Sequence, residues 1–380
     1  MILTYVLGCI LFLFYISYYL FMVRISKRGI GICKDSNYSP KVSIIVPTYN
    51  EEATIKEKLA NLLSQEYKGE VEIIIIDSAS LDRTVEIAEK FCHEEGLKVI
   101  FLLEKERKGK AHALNHAFDY CTGDIVIMTD ADARWETTTL SKALLNFSNP
   151  EIGAVTGRQV LLNPKQSVVT LREVIYRSIY ETLRLGESVL DSTPIFHGSL
   201  ACYRRSLLDK VSEDSMADDS ELAVGVRKKG PRAISYPDAV FYEYTPPTFK
   251  SRFNQKVRRG QGIIQLFLRQ WKLLFNPNYG KFGTIIFPAE FFMHMISPSL
   301  LLIFAVCVIY EFATINLFVI VGMAAIILLS ALVLAWRKIN IVNFTISFSD
   351  SQFILLIALF YQLIGKRQHK WQIITEVREF

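Results

Sequence analysis

Residues 1–23, MILTYVLGCILFLFYISYYLFMV, carry no charged side chain. About 20 consecutive apolar residues cross a bilayer as a helix, and inside a bilayer the backbone must satisfy its own hydrogen bonds. A cleavable leader usually begins with a basic segment and ends at small residues. This run does neither, so a retained anchor over 1–23 is expected. Arg24, Lys27 and Arg28 follow at once, and a basic flank of this kind marks the cytoplasmic end. The next part of the chain is therefore expected in the cytoplasm of a cell-membrane protein.

The chain has 380 residues, of which 51% are hydrophobic, and its mean hydropathy is +0.24. Much of that excess lies near the other end. Residues 284–310 and 315–336 each match a membrane span in length, and the basic Arg337 and Lys338 follow the second. A third run, QFILLIALFYQLIG at 352–365, is short and precedes KRQHK. An interfacial or re-entrant helix suits it, with a full crossing as the rival. The expected layout is then a 266–283 juxtamembrane or interfacial helix region, a 284–365 membrane region and a 366–380 cytoplasmic tail. The spans hold few ionisable residues, Glu290 and His294 among them, which argues against a transport pathway. Six cysteines show no CxxC and no metal spacing. The net charge of +5 is modest and its bases cluster near the membrane ends and in EKERKGK. Such clusters suit anionic lipid and an anionic substrate, not nucleic acid.

Between residues 40 and 165 the pattern alternates. KVSIIVPTY, VEIIIID, KVIFLLE and DIVIMTD are unbroken apolar runs of strand length, as expected for strands buried on both faces. Helical patterns separate them. After Asn50, expected as an N-cap, Ile55, Leu59, Leu62 and Leu63 fall on one face, with Glu51 and Glu52 in the first turn. Residues 83–95 and 110–121 read as helices too. Strand alternating with helix predicts an α/β fold, a mostly parallel sheet with helices on both faces. Ligands bind such sheets at the carboxyl ends of the strands. There the first strand ends in PTYNEE, the second in DSAS and the fourth in DAD. No GxGxxG follows the first strand and no GxxxxGK[ST] occurs, so neither a dinucleotide fold nor a P-loop is supported.

Asp130 and Asp132 pose the sharpest question. In extended chain, side chains at i and i+2 point the same way. Two adjacent carboxylates raise each other's pKa unless they share a cation. Hard oxygen ligands suit Mg2+ or Mn2+. A turn bearing two solvated aspartates is the alternative at this point.

The ordered set VPTYNE, IIDSASLDRT, KGKAHALN, TDADA, HGSLACYRR, ADDSEL and QKVRR resembles the family 2 glycosyltransferases. More narrowly it resembles their membrane-embedded branch, which includes cellulose, chitin and hyaluronan synthases and ceramide glucosyltransferase. The resemblance covers about residues 40–265 and implies a cytoplasmic GT-A domain flanked by transmembrane helices. It implies a nucleotide-diphospho-sugar donor, UDP-sugar first, bordered by Pro47, Thr48, Tyr49 and Glu51, with Asp77 reading the base. The family often has a second acid beside that aspartate, where this chain has Ser78. By the same resemblance Lys110 lies near the donor. Asp130 and Asp132 hold the metal, Asp132 as the more direct ligand and Asp130 sharing contacts with donor ribose. Glu243, His197 and water remain open as a third ligand. Asp219 is the implied general base, with Asp218 raising its pKa. His197, Gly198 and Gln255 fall on the acceptor side, and Arg258 neutralises diphosphate. The position of the family's Q-x-x-R-W tryptophan holds Arg259, which weakens a processive reading. The implied reaction is an inverting single displacement that builds a cell-surface polysaccharide or oligosaccharide. A lipid or polyprenyl-phosphate acceptor is the alternative. A membrane sensor or transporter with a nucleotide-binding domain is the reading from another class.

Overall fold

In the computed structural model, which describes residues 2–31, 35, 37–313, 317–336 and 341–366, the four apolar runs form the parallel half of one sheet. They are β1 (Val42–Thr48), β2 (Val71–Asp77), β3 (Val99–Leu103) and β4 (Ile125–Met128). Within β1 and β4, Val42, Ile44, Ile45, Ile125, Val126, Ile127 and Met128 are fully buried, so both faces are covered. One cover is α2 (Ile55–Leu63) and α3 (Thr84–Glu94), which place Ile55, Leu59, Ala88 and Phe91 in the core. On the other face, α4 (Lys110–Phe118) packs through Ala111, Ala113, Leu114 and Ala117, and the three alanines let helix and sheet approach closely.

The sheet continues with β5 (Arg134–Trp135), β6 (Ile152–Leu161), β7 (Ala201–Arg204) and β8 (Arg232–Glu243), in the order β3-β2-β1-β4-β7-β6-β8-β5. Four of its seven neighbouring pairs are parallel, β1–β2, β1–β4, β2–β3 and β6–β8. The other three are antiparallel. The sheet is thus parallel over its first half and mixed beyond β4. The strand order reverses at β1 and β4, and open α/β sheets bind ligands at such a switch point.

Asn50 is not the cap of α2. The helix starts at Ile55, after Thr54. Asn50 has φ +53°, a left-handed conformation that asparagine tolerates better than most residues. Its Oδ1 accepts from Leu81 N at 2.7 Å and ties the β1 loop to the β2 loop. Glu51 and Glu52 accordingly lie ahead of the first helical turn.

Two long amphipathic helices separate the sheet from the apolar segments. α6 (Val168–Leu190) opens with a capping box in which Ser167 and Thr170 satisfy each other's backbone N–H. α8 (Phe249–Arg269) opens on Thr248. α5 (Thr139–Leu144) and α7 (Asp218–Lys228) complete the helices that pack around the sheet. α1 (Ile2–Ser26) lies against α6, where a Cβ on Gly186 would come within 2.6 Å of Met22 O and 2.8 Å of Met22 Cβ. Gly186→Ala should therefore lower the melting temperature in detergent, by about 1–3 kcal/mol of overpacking. Helix propensity alone favours alanine by about 1 kcal/mol, so a rise in melting temperature would show that the contact gives way.

Beyond α8, residues 266–283 are mostly not a continuing helix. Two 3-10 turns, Trp271–Leu273 and Pro277–Tyr279, follow, with Trp271 and Phe275 exposed. Exposed aromatics of this kind suit a membrane interface. Phe282–Phe312 then runs as one apolar helix, in which two π-turns flank α9 (Phe287–Phe291) and lead into α10 (Ser297–Ala313). α11 (Leu317–Trp336) is the helix expected at 315–336. The third run is longer than its hydropathy suggested, because α12 spans Ile341–Leu363. The polar residues that hid its first half turn inward. Asn343 accepts from Arg172, Ser347 donates to Arg172 O, and Asp350 pairs with Arg252. At 23 residues, or about 34 Å, α12 is as long as a crossing helix. Among the described residues three helices are long and apolar enough to cross a membrane, Ile2–Ser26, Phe282–Phe312 and Asn343–Leu363. Most of the expected 366–380 tail lies outside the described residues.

Candidate active site

A cavity of about 360 Å3 opens at the carboxyl edge of β1 and β4 and is closed by α6 and α8. From the end of β1, Pro47, Thr48, Tyr49 and Glu51 line it. The Arg107 guanidinium stacks over the Tyr49 ring at 3.7 Å. Asp77 is not part of the wall. Its carboxylate accepts from Ser80 N at 2.8 Å, Ser80 Oγ at 2.5 Å and Thr48 Oγ1 at 3.0 Å. Those bonds hold the β1 and β2 loops together, while Ser78 next to it does line the cavity.

Lys110 is the first residue of α4, preceded by Gly109 at φ +114°, a conformation that needs glycine. Its Nζ donates to Asp130 Oδ1 at 2.7 Å and lies 3.8 Å from Asp218 Oδ2. Burial opposes charge on both partners, yet Asp130 and Asp218 keep the ammonium protonated and Lys110 carries Asp130 down to about 2. Asp130 Oδ2 faces Ser199 Oγ at 3.1 Å. Ser199 also meets Glu243, whose other oxygen accepts from Gln159. Burial raises the Glu243 carboxyl against the pull of Arg259 and Arg177.

Asp219 stands in the first turn of α7, its Oδ1 accepting from Ser220 N at 2.6 Å. Burial first, then Asp218 beside it, push its carboxyl up to about 7. Gly198 marks where these groups converge. A Cβ there would lie 3.0 Å from Lys110 Nζ, 3.5 Å from Asp130 Oδ2 and 3.6 Å from Asp219 Oδ2. The aspartates after β4 and at α7 thus face one space. His197, next in the chain, takes a hydrogen bond from Arg184 on Nε2 and is held neutral by burial and by that arginine. Gln255 and Arg258 reach the cavity from α8. Burial and Arg259 lower Arg258 to about 10, so it stays charged at neutral pH.

Asp132 lines the same cavity two residues after Asp130. Among the described residues no group of three His, Cys, Asp or Glu forms a closed metal site. The carboxylates Asp130 and Asp132 nonetheless fit Mg2+ or Mn2+, which take one or two protein carboxylates and complete their shell with substrate phosphate and water. Glu243 accepts from Ser199 and Gln159, His197 Nε2 faces Arg184, and both residues line the same cavity.

Two features escaped the sequence reading, and a third residue, Glu243, was named there only as an open metal ligand. Glu173, Tyr176, Arg177, Tyr180, Glu181 and Arg184 form one wall of the cavity. Their spacing follows the helical period, so a stripe of polar residues on one face of 168–190 was the available signal. Lys58 is fully buried beneath the aspartate turn. It donates to Thr129 Oγ1 at 2.6 Å and Ala133 O at 3.0 Å. Burial and Arg134 bring it down to about 7. Glu243 arrives from β8 through a pairing that sequence spacing does not reveal.

The profile "Glycosyl transferase family 2" matches residues 43–212. A mannosyltransferase of Pyrobaculum calidifontis, PcManGT, solved in complex with GDP-Man and Mn2+, superposes with a TM-score of 0.78. It is 31% identical over 96% of this chain and 100% of its own. Poly-beta-1,6-N-acetyl-D-glucosamine synthase of Staphylococcus aureus is 26% identical over 67% of this chain. "Probable glycosyltransferase YdaM" of Bacillus subtilis (strain 168) is 27% identical over 65%. The matched region spans 63% of the length of each of these two relatives. A mixed sheet with acids at its switch point, and this full-length likeness, define a GT-A type fold. The chain belongs to glycosyltransferase family 2.

Proposed function

We propose that this protein is a metal-dependent, inverting glycosyltransferase set at the cytoplasmic face of the cell membrane. It moves a sugar from a nucleotide-diphospho-sugar to a hydroxyl of a glycan or lipid acceptor in cell-surface polysaccharide or oligosaccharide synthesis. The observation that carries this reading is the convergence of Lys110, Asp130 and Asp219 on the space beside Gly198. Pro47, Thr48, Tyr49 and Glu51 border the nucleoside. Asp77 supports that pocket through Thr48 and Ser80. Lys110 and Arg258 face the diphosphate. Asp130 and Asp132 would hold Mg2+ or Mn2+, which supplies Lewis acidity toward the leaving nucleotide. Asp219 takes the proton of the acceptor hydroxyl while that oxygen attacks the anomeric carbon from the face opposite the diphosphate. Asp218 keeps that base poised near neutrality, and His197, Gly198 and Gln255 border the acceptor.

Membership of the family favours an enzyme over a sensor or transporter. A UDP-sugar suits the polysaccharide synthases that the sequence resembles. The relative that matches 96% of this chain was solved with GDP-Man and Mn2+, which makes GDP-mannose an equal first choice. Arg259 in place of the tryptophan favours a single transfer over processive synthesis. The three apolar helices and the basic residues after α1 support the membrane placement. Detergent-purified protein, given labelled GDP-mannose and UDP-sugars with and without Mn2+, should release nucleoside diphosphate from one of them only when the metal is present. Release that is indifferent to chelator, or absent with every donor, refutes the proposal.

A further inference from the structure

Beneath the aspartate turn lies a lysine that is not part of the cavity wall. Residues 130–133 form a tight turn in which Ala133 N donates to Asp130 O at 3.3 Å. Lys58 of α2 is fully buried under it. Its Nζ donates to Thr129 Oγ1 at 2.6 Å, just before the turn, and to Ala133 O at 3.0 Å, at its end. The Trp135 ring centroid lies 4.7 Å from the same nitrogen. An ammonium has three donors and no acceptor, so one side chain grips the stretch 129–135 at three points.

Asn61 stands three residues further along α2, on the same face. Its Nδ2 donates to Trp135 O at 2.8 Å and its Oδ1 accepts from Trp135 N at 2.7 Å. The hold extends across the sheet. Thr129 Oγ1 donates to Ser199 O at 2.8 Å, and Trp135 Nε1 donates to the same oxygen at 2.9 Å. Ser199 Oγ in turn faces Asp130 Oδ2. Lys58 therefore fixes the backbone of the turn and, through Thr129 and Trp135, the segment opposite Asp130.

A buried ammonium is costly. Burial and Arg134 weigh against its charge, while Asp130, Asp132 and Glu243 favour it. The two oxygens that it bonds are neutral. An apolar side chain would fill the same space without that cost, so packing alone does not call for a lysine here.

We propose that Lys58 is a positioning residue that sets the Asp130 and Asp132 carboxylates for a divalent ion, acting through the backbone of their turn. This rests on the metal-dependent reading and adds a residue to it. The role fixes the sign of the effect. As a mere cation near the site, Lys58 would repel Mn2+, and its loss would tighten metal binding. As a brace, its loss loosens the turn and weakens metal binding. Groups that hold metal ligands in place are worth about 10–100-fold in affinity.

Paramagnetic resonance titration of Mn2+ into the detergent-purified full chain, with GDP or UDP present, tests the assignment, and calorimetry follows nucleotide binding without metal. Lys58→Met should bind Mn2+ about 10–100-fold more weakly than the wild type and bind metal-free nucleotide as tightly. Lys58→Gln, a shorter donor, should fall between the two. Glu57→Gln breaks only the exposed pair with Arg134 and should keep wild-type Mn2+ affinity. Should Lys58→Met fail to melt cooperatively, Lys58→Gln decides alone. Mn2+ affinity equal to or tighter than wild type in either lysine variant overturns the assignment. So does a parallel loss of metal-free nucleotide affinity, which marks a general structural role. A wild type that binds no Mn2+ refutes the metal reading itself, and the positioning role falls with it.

Discussion

Asp219→Asn should lower kcat by about 10²–10⁴-fold, the usual contribution of a positioned general base, and leave donor affinity nearly unchanged. The amide keeps the size of the side chain and can still take part in hydrogen bonding at Ser220 N, so the fold should survive. It cannot accept the acceptor's proton. The wild-type pH profile gives a second reading of the same residue. Burial and Asp218 raise Asp219 to about 7, and only its ionised form is a base. Activity is therefore present above about pH 7 and falls about tenfold per unit as pH drops below it. Asp218→Asn removes the like charge, so the acid limb should move to lower pH. Lys110→Met removes a cation that stabilises the ionised form, so the limb should move to higher pH. Initial rates from pH 5 to 9 for the three proteins check both directions. An acid limb that stays in place in Asp218→Asn would refute the assignment of that limb to Asp219.

The strands and the acid-rich edge were legible because their signals are local. Unbroken Ile and Val runs mark buried strands wherever they occur, and Asp130 and Asp132 end one of them. The second half of the sheet was not legible. β6 and β8 pair in parallel with register shifts, and their partners are set by a fold in which sequence neighbours are seldom spatial neighbours. Asn50 was misread for a related reason. An asparagine after a strand suits both a cap and a left-handed turn, and only the bond from Leu81 distinguishes the two. The bracing role of Asp77 was not legible either. A strand-terminal aspartate can face a ligand or brace two loops, and here its oxygens are engaged by Ser80 and Thr48. The first half of α12 was hidden because Asn343, Ser347, Asp350 and Ser351 dilute its hydropathy, although Asn343, Ser347 and Asp350 bond to α6 or α8. The α6 stripe needed only a count at the helical period, but polar residues on a helix usually face water.

Asp132→Asn should be the most damaging change to metal use, more selective than Asp130→Asn. The reason lies in what each carboxylate already does. Asp130 is committed to Lys110 at 2.7 Å and to Ser199 at 3.1 Å, so a cation already balances its charge. Losing it frees Lys110 from its closest acid and disturbs the turn that Lys58 supports through Thr129. Asp130→Asn should therefore lower the melting temperature as well as activity. Asp132 lines the same cavity, and the resemblance to the family makes it the more direct metal ligand of the two. If metal assistance is worth several kcal/mol at the leaving group, each 1.4 kcal/mol being tenfold, Asp132→Asn should lose about 10²–10³-fold in kcat/KM for the donor. Its Mn2+ requirement should shift to higher concentration while its melting temperature stays close to that of the wild type. Paramagnetic resonance titration of Mn2+ with nucleotide present separates affinity from turnover. Should Asp132→Asn bind Mn2+ as tightly as the wild type and turn over at the same rate, the paired aspartates would be a solvated turn, and the diphosphate would have to be neutralised by Lys110, Arg107 and Arg258 alone.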